Sequence, residues 1–410
     1  MRKGILSTIV CVMVAVGLLA CGGGGGGGTD SNTNSAPVAN AGPDQNVATG
    51  SQVTLNGSGS SDANGDPLTY SWSFTSKPGG STATLSSAIV ANPTFTADTS
   101  GSYVLSLVVS DGQVSSADDA VTVTAVNSIP LPDTGQTTGY TLTAGEDMDY
   151  VINPPSYTDN GDGTITDNVT GLIWQKQNDA TTREWDVANT YCSNNTPGLP
   201  GTGWRLPTRM ELVGILNYGT FGPAINTTSF ISTQSSYYWS SSTWAGYASI
   251  IAWRVDFNNG YTGLNDMQGL LGLQYVRCVR GQSPTLSYTD NGNGTVTDNV
   301  TGLMWQQQDD NITKSWESAL SYCENLSLAT YPDWRLPNVK ELNSLVDNSR
   351  YNTAIDPVFT GTNASYYWSS TTDISDATYA YAWNVTFNEG NTGAGSKLSA
   401  SLYVRCVRGQ

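Results

Sequence analysis

Residues 158–175 read TDNGDGTITDNVTGLIWQ, and residues 289–306 read TDNGNGTVTDNVTGLMWQ. The two stretches differ only at three paired positions, which are Asp162/Asn293, Ile165/Val296 and Ile173/Met304. Asn-Gly and Asp-Gly dipeptides between alternating residues are typical of a tight turn that joins two antiparallel strands. Each stretch therefore predicts a β-hairpin that opens a domain, and the chain contains this domain twice.

Further matching motifs show that the repeat extends over whole domains. WRLP occurs at 204–207 and 334–337, YYWSS at 237–241 and 366–370, and YVRCVRGQ at 275–282 and 403–410. Two units of this length each have room for a core of their own, which excludes a solenoid. We assign the first copy to residues 157–282, the second copy to residues 288–410, and a short linker to residues 283–287.

Local patterns predict two helices and several strands in each copy. Apolar residues at i, i+3 and i+7 indicate an amphipathic helix at Trp185, Ala188 and Cys192, and again at Trp316, Ala319 and Cys323. Capping boxes after WRLP predict a second helix, with Thr208 and Glu211 in the first copy and Asn338 and Glu341 in the second. Beyond about residues 230 and 362 the pattern alternates as in strands, so each copy is predicted to be an α+β domain.

The N-terminus has the pattern of an export signal. Arg2 and Lys3 precede an apolar run that ends in Leu-Leu-Ala-Cys at Cys21. This end resembles the lipobox of bacterial lipoproteins, and the resemblance implies a signal peptide at 1–20, a lipidated Cys21 and a flexible Gly-rich linker at 21–36. The expected location is the bacterial cell envelope, at the periplasmic or surface side of the outer membrane. The alternative is an ordinary signal peptide with an incidental cysteine.

Short alternating segments between Gly, Asn, Asp and Pro turns predict an all-β, immunoglobulin-like sandwich at residues 37–126. The motifs GDPLTYSW at 65–72 and VSDG at 109–112 resemble the polycystic-kidney-disease (PKD) repeat family. The resemblance implies an extracellular spacer or adhesive module with Trp72 in its core. The proline-containing segment 127–156 is predicted to be a linker; its LPDTG string at 131–135 is not followed by the apolar tail that a sortase signal needs.

Four cysteines remain once Cys11 has left with the signal peptide and Cys21 is lipidated. Cys192–Cys278 and Cys323–Cys406 is the pairing that treats both copies alike. Each bridge would close a loop of more than 80 residues, which the chain-entropy model values at roughly 4 kcal/mol. Free thiols or a shared Cys₄ metal site are the alternatives, although no CxxC spacing supports the latter.

The ordered motifs of the two copies, from the opening hairpin through WRLP and YWSS to the terminal YVRCVRG, resemble the Lcl C-terminal domain family of bacterial exported proteins. The resemblance implies a C-type-lectin-like fold and a role in adhesion by polysaccharide binding. The predicted architecture is therefore an N-terminal immunoglobulin-like sandwich followed by two tandem α+β, C-type-lectin-like domains. This chain lacks a collagen-like stalk and carries a net charge of −17, so binding of sulfated polysaccharides does not follow.

Composition excludes several functions. The chain contains no His, which rules out His-based acid–base catalysis, Ser-His or Cys-His pairs and His metal sites. No cofactor motif is present and no base lies next to a candidate nucleophile, so we predict a non-enzymatic protein. The acidic net charge speaks against a nucleic-acid partner, because phosphate binding needs clustered Lys and Arg.

The Asp-rich hairpins offer hard oxygen ligands that Ca²⁺ prefers. The candidate metal ligands are Asp159, Asp162, Asp167, Asp290, Asn293 and Asp298. The spacing differs from an EF-hand, and the alternative interpretation is a hairpin turn without metal. The prediction is no obligatory cofactor, with Ca²⁺ as a possible ligand.

Aromatic and basic side chains are the other candidates for ligand binding. Most repeated Trp residues are expected in the core; the candidate ligand contacts are Tyr237, Tyr238, Trp244, Tyr247, Tyr366 and Tyr367. The repeated arginines are Arg205, Arg277 and Arg280, with Arg335, Arg405 and Arg408 in the second copy. We interpret them as structural ion pairs, with a local anion or sugar-acid site as the alternative.

Three functions follow as hypotheses. The first is a lipid-anchored envelope protein that presents tandem lectin-like domains for adhesion or for carbohydrate or protein binding. The second is a structural or assembly component that binds other exported proteins. A hydrolase that acts on envelope polysaccharide ranks last, because it would need a close, exposed carboxylate pair.

Overall fold

The computed structural model describes residues 34–126, 129–248, 250–267, 272–283 and 285–409. The predicted signal peptide, Cys21 and most of the Gly-rich linker lie outside the described residues. Within the described ranges, no helix is long and apolar enough to cross a membrane.

The N-terminal domain is a sandwich of six strands. A four-stranded sheet has the order β1-β6-β5-β3, and β2 pairs with β4 in a second sheet. Their bounds are β1 (Gln45–Ala48), β2 (Gln52–Thr54), β3 (Thr69–Ser76), β4 (Thr94–Thr96), β5 (Gly101–Ser110) and β6 (Asp119–Val126). Trp72 on β3 is 2% exposed and lies in the core between the sheets, as the sequence predicts.

The first copy contains two sheets and two short helices. A four-stranded sheet of order β13-β9-β8-β7 includes the opening hairpin and the C-terminal strand, and a second sheet has the order β10-β11-β12. The bounds are β7 (Tyr157–Asp159), β8 (Thr164–Asp167), β9 (Ile173–Gln175), α1 (Trp185–Ser193), α2 (Arg209–Gly214), β10 (Tyr237–Thr243), β11 (Ile251–Asp256), β12 (Thr262–Asp266) and β13 (Val279–Arg280).

The second copy repeats this arrangement element by element. Its sheets have the orders β14-β15-β16-β20 and β17-β18-β19. The bounds are β14 (Tyr288–Asp290), β15 (Thr295–Asp298), β16 (Met304–Gln306), α3 (Trp316–Glu324), α4 (Val339–Ser344), β17 (Tyr366–Thr372), β18 (Tyr381–Thr386), β19 (Thr392–Ser396) and β20 (Val407–Arg408). The structure is therefore mostly β-sheet, with few helices.

The predicted local features are present in both copies. The repeated stretch forms a hairpin, because β7 pairs with β8 and β14 with β15, and the two Trp residues that close it, Trp174 and Trp305, are fully buried. Thr208 and Asn338 cap α2 and α4 in complete capping boxes. The disulfides Cys192–Cys278 and Cys323–Cys406 are formed, and each connects a helix to the segment before the last strand.

The two copies pack against each other through equivalent elements, α2 against α4 and β12 against β19, and from this pairing we infer an approximate two-fold axis. Near that axis Thr262 Oγ1 lies 3.0 Å from Thr392 Oγ1, its counterpart in the second copy. Helices α2 and α4 also meet there, and Arg209 on α2 donates to the Asn343 side chain at 3.1 Å and to the Gly390 carbonyl at 2.6 Å. Because Trp383 of the second copy belongs to the core of the first, the two copies share apolar packing.

Residues 129–156, which we call the strap, are more than the linker that the sequence suggests. Thr134, Gln136 and Asp147 are buried. The Gln136 amide bridges the copies, since it donates to the carbonyls of Tyr218 and Thr372. Hydrogen bonds to both copies hold the strap in this buried position. The sequence of the strap alone does not indicate them, because their partners lie in other segments of the chain.

The buried carboxyl of Asp147 makes stability depend on pH. Burial, together with nearby Asp133, raises the pKa of Asp147 to about 7 from 3.8. A raised folded-state pKa contributes stability that is complete below the unfolded value and is lost as pH rises through about 7. We expect the melting temperature to fall less between pH 5 and pH 8 in Asp147→Asn than in the wild type. Asp118→Asn, at an exposed position, is the control; parallel pH profiles for all three proteins would contradict the assignment.

Candidate functional site

The carboxylates of the repeated hairpin accept hydrogen bonds mainly from residues of their own turns. Asp162 Oδ1 accepts hydrogen bonds from Thr164 N at 3.1 Å and Thr164 Oγ1 at 2.6 Å. Asp167 accepts from Val169 N and from Thr170 Oγ1, and Asp159 pairs with Lys176. In the second copy Asn293 and Asp298 make the corresponding hydrogen bonds, whereas Asp290 accepts from Gly292 N and Gln307 Nε2. Within the described residues, no group of three or more Asp, Glu or Cys side chains is arranged to hold a metal ion.

This hydrogen bonding gives a prediction about calcium. Because the turn donors already satisfy these carboxylates, we expect EDTA to leave the melting temperature of the whole chain unchanged. Differential scanning fluorimetry in calcium-containing buffer, with and without chelator, measures this directly. A reproducible fall that added Ca²⁺ reverses would instead support metal binding by the hairpins.

Two of the six predicted aromatic contacts are buried, so the prediction of surface exposure is wrong for Tyr238 and Tyr367. Both are 0% exposed and lie in the cores of their copies. Their hydroxyls accept hydrogen bonds from the backbone N–H of Gln234 and Asn363 at 2.9 Å. Successive strand side chains point to opposite faces, and their neighbours Tyr237 and Tyr366 are partly or largely exposed, with Tyr366 50% exposed.

Eight of the ten repeated tryptophans form no binding surface. All are buried, and they are Trp174, Trp204, Trp239, Trp253, Trp305, Trp334, Trp368 and Trp383. Several indole N–H groups donate to backbone carbonyls, such as Trp239 to Arg183 and Trp368 to Lys314. These residues therefore stabilise the domains.

Five of the six repeated arginines are held by acceptors within the described residues. Arg205 and Arg335 form bidentate pairs with Glu211 and Glu341, at 2.6 to 2.7 Å. Arg277 and Arg405 are fully buried. Arg405 donates to the carbonyls of Gln306 and Gln307 and to Thr362 Oγ1, and burial lowers its pKa. The predicted ion pairs are present at Arg205 and Arg335, whereas Arg277 and Arg405 donate mainly to backbone carbonyls.

Removal of a buried guanidinium should therefore affect stability. We expect Arg405→Met to lower the free energy of unfolding by about 3 kcal/mol, because it leaves buried carbonyls without donors. Arg350→Met removes a surface pair with Asp347 and should cost less than about 1 kcal/mol. Urea denaturation of both variants compares the losses. If Arg405→Met were as stable as the control, the guanidinium would not have the structural role assigned here.

One group of aromatic side chains at the surface is contributed by both copies, with the partly buried Trp244 between two exposed tyrosines. Trp244 and Tyr247 lie in the loop between β10 and β11, with ring centroids 5.5 Å apart, and Tyr351 of the second copy meets Trp244 edge-on at 5.5 Å. Tyr247 is 60% and Tyr351 51% exposed. We call these three residues the aromatic cluster. The sequence singled out the first two, but Tyr351 joins them only because the copies pack together.

A largely apolar cavity of about 290 Å³ lies beside the same junction. Its walls come from the strap (Ile129–Pro132), from both copies, and from Ser283 and Leu286 of the linker between them. Its apolar surface comes from Leu172, Met210, Leu286, Val300 and Val346. The cavity is also lined by Ser242 and Ser349, which lie two residues before Trp244 and Tyr351 of the aromatic cluster. Cavities of about this size or larger are common small-ligand and anchor-residue sites. No sequence motif indicates the cavity, because the strap, both copies and the linker between them all contribute to it.

Fold and site define a β-rich, multidomain protein in which a PKD-like domain precedes two fused copies of one domain. Residues 163–280 and 294–408, more than half of the chain, match the family model of the Lcl C-terminal domain. The chain therefore belongs to the Lcl C-terminal domain family. Residues 41–125 match the model of a PKD domain family.

Among solved structures, the PKD domain from KIAA 1837 protein is 29% identical over 24% of this chain and 93% of its own, with a TM-score of 0.20. A nucleoside hydrolase-related hypothetical protein from Saccharophagus degradans is 25% identical over 23% of this chain, at a TM-score of 0.21; this chain spans about a quarter (26%) of its length. The Yersinia pseudotuberculosis adhesin InvE is 13% identical over 93% of this chain and 100% of its own, at a TM-score of 0.22. Similarities of this size carry no functional argument. No curated protein matches the chain.

Proposed function

We propose that this protein is a non-enzymatic binding protein of the bacterial cell envelope, anchored through lipid on Cys21, and that it mediates adhesion through its tandem, C-type-lectin-like Lcl C-terminal domains. The observation that carries the proposal is the aromatic cluster, in which the exposed rings of Tyr247 and Tyr351, one from each copy, flank the partly buried Trp244. The PKD-like domain and the Gly-rich linker hold this surface away from the membrane.

The cluster has the chemistry of a ligand platform. Tyr and Trp provide large, rigid contact areas with a polar end, which is why they are enriched at binding interfaces. The apolar face of a sugar ring stacks on such side chains, and hydroxyl groups of the ligand can reach the tyrosine hydroxyls. A carbohydrate of the cell surface is therefore the proposed ligand class.

The electrostatics favour neutral sugars. The net charge is −17, and four arginines already have acceptors within the chain. Arg205 and Arg335 donate to carboxylates, and Arg277 and Arg405 donate to buried carbonyls. A sulfated or phosphorylated polymer would meet few free donors in the described residues. The proposed ligand is accordingly an uncharged glycan.

A glycan array with the whole chain, without its predicted signal peptide, tests the proposal. We expect binding to neutral glycans, which Tyr247→Ala or Tyr351→Ala weakens by about tenfold or more, because each removes part of the platform. Phe221→Ala is the matched control, since Phe221 is the counterpart of Tyr351 in the first copy and is 58% exposed outside the cluster. Absence of binding to every glycan on the array, together with unchanged cell adhesion when the protein is deleted, would refute the proposal.

The cavity favours a second candidate function, in which the protein is an assembly component that binds other exported proteins. An apolar cavity at the meeting point of the strap, the linker and both copies can receive a side chain of a partner. Chemical cross-linking in intact envelopes, followed by affinity purification, discriminates the two functions. Recovery of one defined exported protein would support assembly, and recovery of glycan alone would support adhesion.

A further inference from the structure

The approximate two-fold axis gives every site near it a counterpart on the other side. The counterpart of Met210 is Lys340, and the counterpart of Asn348 is Tyr218. Ser242 corresponds to Thr371, as shown by equivalent hydrogen bonds, since Arg209 N donates to Ser242 Oγ and Val339 N donates to Thr371 Oγ1. The surroundings of the cavity can therefore be compared with the related surroundings across the axis.

The strap fills the counterpart of the cavity. Lys340 Nζ donates to the Asp133 carbonyl at 2.8 Å, and Tyr218 N donates to the Thr134 carbonyl at 2.8 Å. Thr372, the neighbour of Thr371, donates to Glu146 of the strap at 3.0 Å. Gly135 lies against Asn217, where a Cβ would be only 2.5 Å from the amide oxygen. On this side of the axis, an extended segment is thus bound in a groove between the two copies.

On the other side the corresponding groove is left open. Met210, Asn348, Ser349 and Ser242 occupy the positions of Lys340, Tyr218, Gly219 and Thr371, and all four line the cavity. The strap only borders this side, through Ile129–Pro132. The same pair of domains therefore presents one occupied and one open groove.

We propose that the open cavity binds an extended segment of a partner protein, in the manner in which its counterpart binds the strap. The proposal rests on the binding role inferred above, in its assembly form, and names the chemistry of the partner. It concerns the cavity and not the aromatic cluster, so an experiment can reject one proposed site without rejecting the other.

The residues that differ between the grooves define the segment. Met210 replaces the ammonium of Lys340, so the open groove accepts an apolar side chain where its counterpart holds a backbone carbonyl. The volume of about 290 Å³ admits a Leu- to Trp-sized anchor. The buried Oδ1 of Asn348 has no hydrogen-bond partner in the described structure, and a backbone N–H of the segment would satisfy it.

The charges around the cavity favour basic residues next to the anchor. Asp167, Glu211, Asp298 and Asp347 line the cavity, and none of the described lining residues is Lys or Arg. Arg205 and Arg350 pair with Glu211 and Asp347 from outside the lining, while Asp167 and Asp298 have hydroxyl and backbone donors only among their described contacts. The segment is accordingly an apolar residue flanked by Lys or Arg.

Fluorescence anisotropy with labelled nonapeptides tests this on the whole chain without its predicted signal peptide. The peptides carry a central Leu or Trp with either Lys or Glu flanks, and a central Ser is the reference. We expect Lys-flanked peptides with an apolar centre to bind about tenfold or more tighter than the Glu-flanked or Ser-centred peptides. A benzophenone at the central position should cross-link to Met210 or Leu286.

Two variants connect binding to the cavity. Met210→Lys introduces the residue of the occupied groove and should weaken the Lys-flanked peptides by about tenfold. Leu286→Lys, at a position 40% exposed, should act in the same direction and provides a second test if Met210→Lys unfolds. Leu398→Ala, at a position 91% exposed, is the control that should bind normally.

The outcomes separate this proposal from the glycan platform. Peptide binding that Leu286→Lys weakens and Tyr247→Ala leaves intact supports a cavity site, whatever the glycan array shows. Absence of binding for every peptide, cross-links at the aromatic cluster, or equal binding by Leu286→Lys and wild type would overturn it. Binding of dodecylamine in the cavity without any peptide binding would also overturn it, in favour of a small amphiphile.

Discussion

One buried ammonium group joins three separate parts of the molecule. Lys340 of the second copy is fully buried and donates to the carbonyls of Asp133 in the strap and Gly214 in the first copy. A buried charge is costly unless hydrogen bonds replace its water. Burial accordingly lowers the pKa of Lys340 to about 8. The need to place hydrogen-bond acceptors around this ammonium group therefore fixes both the position of the strap and the distance between the copies.

Arg209 imposes the same constraint in the opposite direction, from the first copy to the second. Its guanidinium is fully buried and donates to Asn343 and to the Gly390 carbonyl, while its central carbon lies 4.9 Å from the centroid of the Trp253 ring. The counterparts of Arg209 and Lys340 are the apolar residues Val339 and Met210. Each copy thus supplies one cation to the junction and the acceptors for the other, and the copies are complementary instead of identical at their contact.

The features that the sequence predicts correctly all depend on short-range patterns or on the repeat itself. The hairpin follows from its turn dipeptides, the caps of α2 and α4 from residues three apart, and the disulfides from the repeat of the cysteines. The Arg205–Glu211 pair is likewise local in sequence. These interactions lie within one copy, so comparison of the two copies is enough to find them.

The features that the sequence misses depend on how the copies meet. The burial of the strap, the contact of Tyr351 with Trp244 and the cavity each need groups from distant segments. Tyr238 and Tyr367 were misplaced for another reason, because two adjacent tyrosines on a strand leave open which of them faces the core. The residues that determine how the two copies pack together are those at which the copies differ in sequence. A search for shared motifs passes over these positions, whereas paired differences such as Met210/Lys340 and Asn348/Tyr218 mark both the contact and the groove that the chain leaves open.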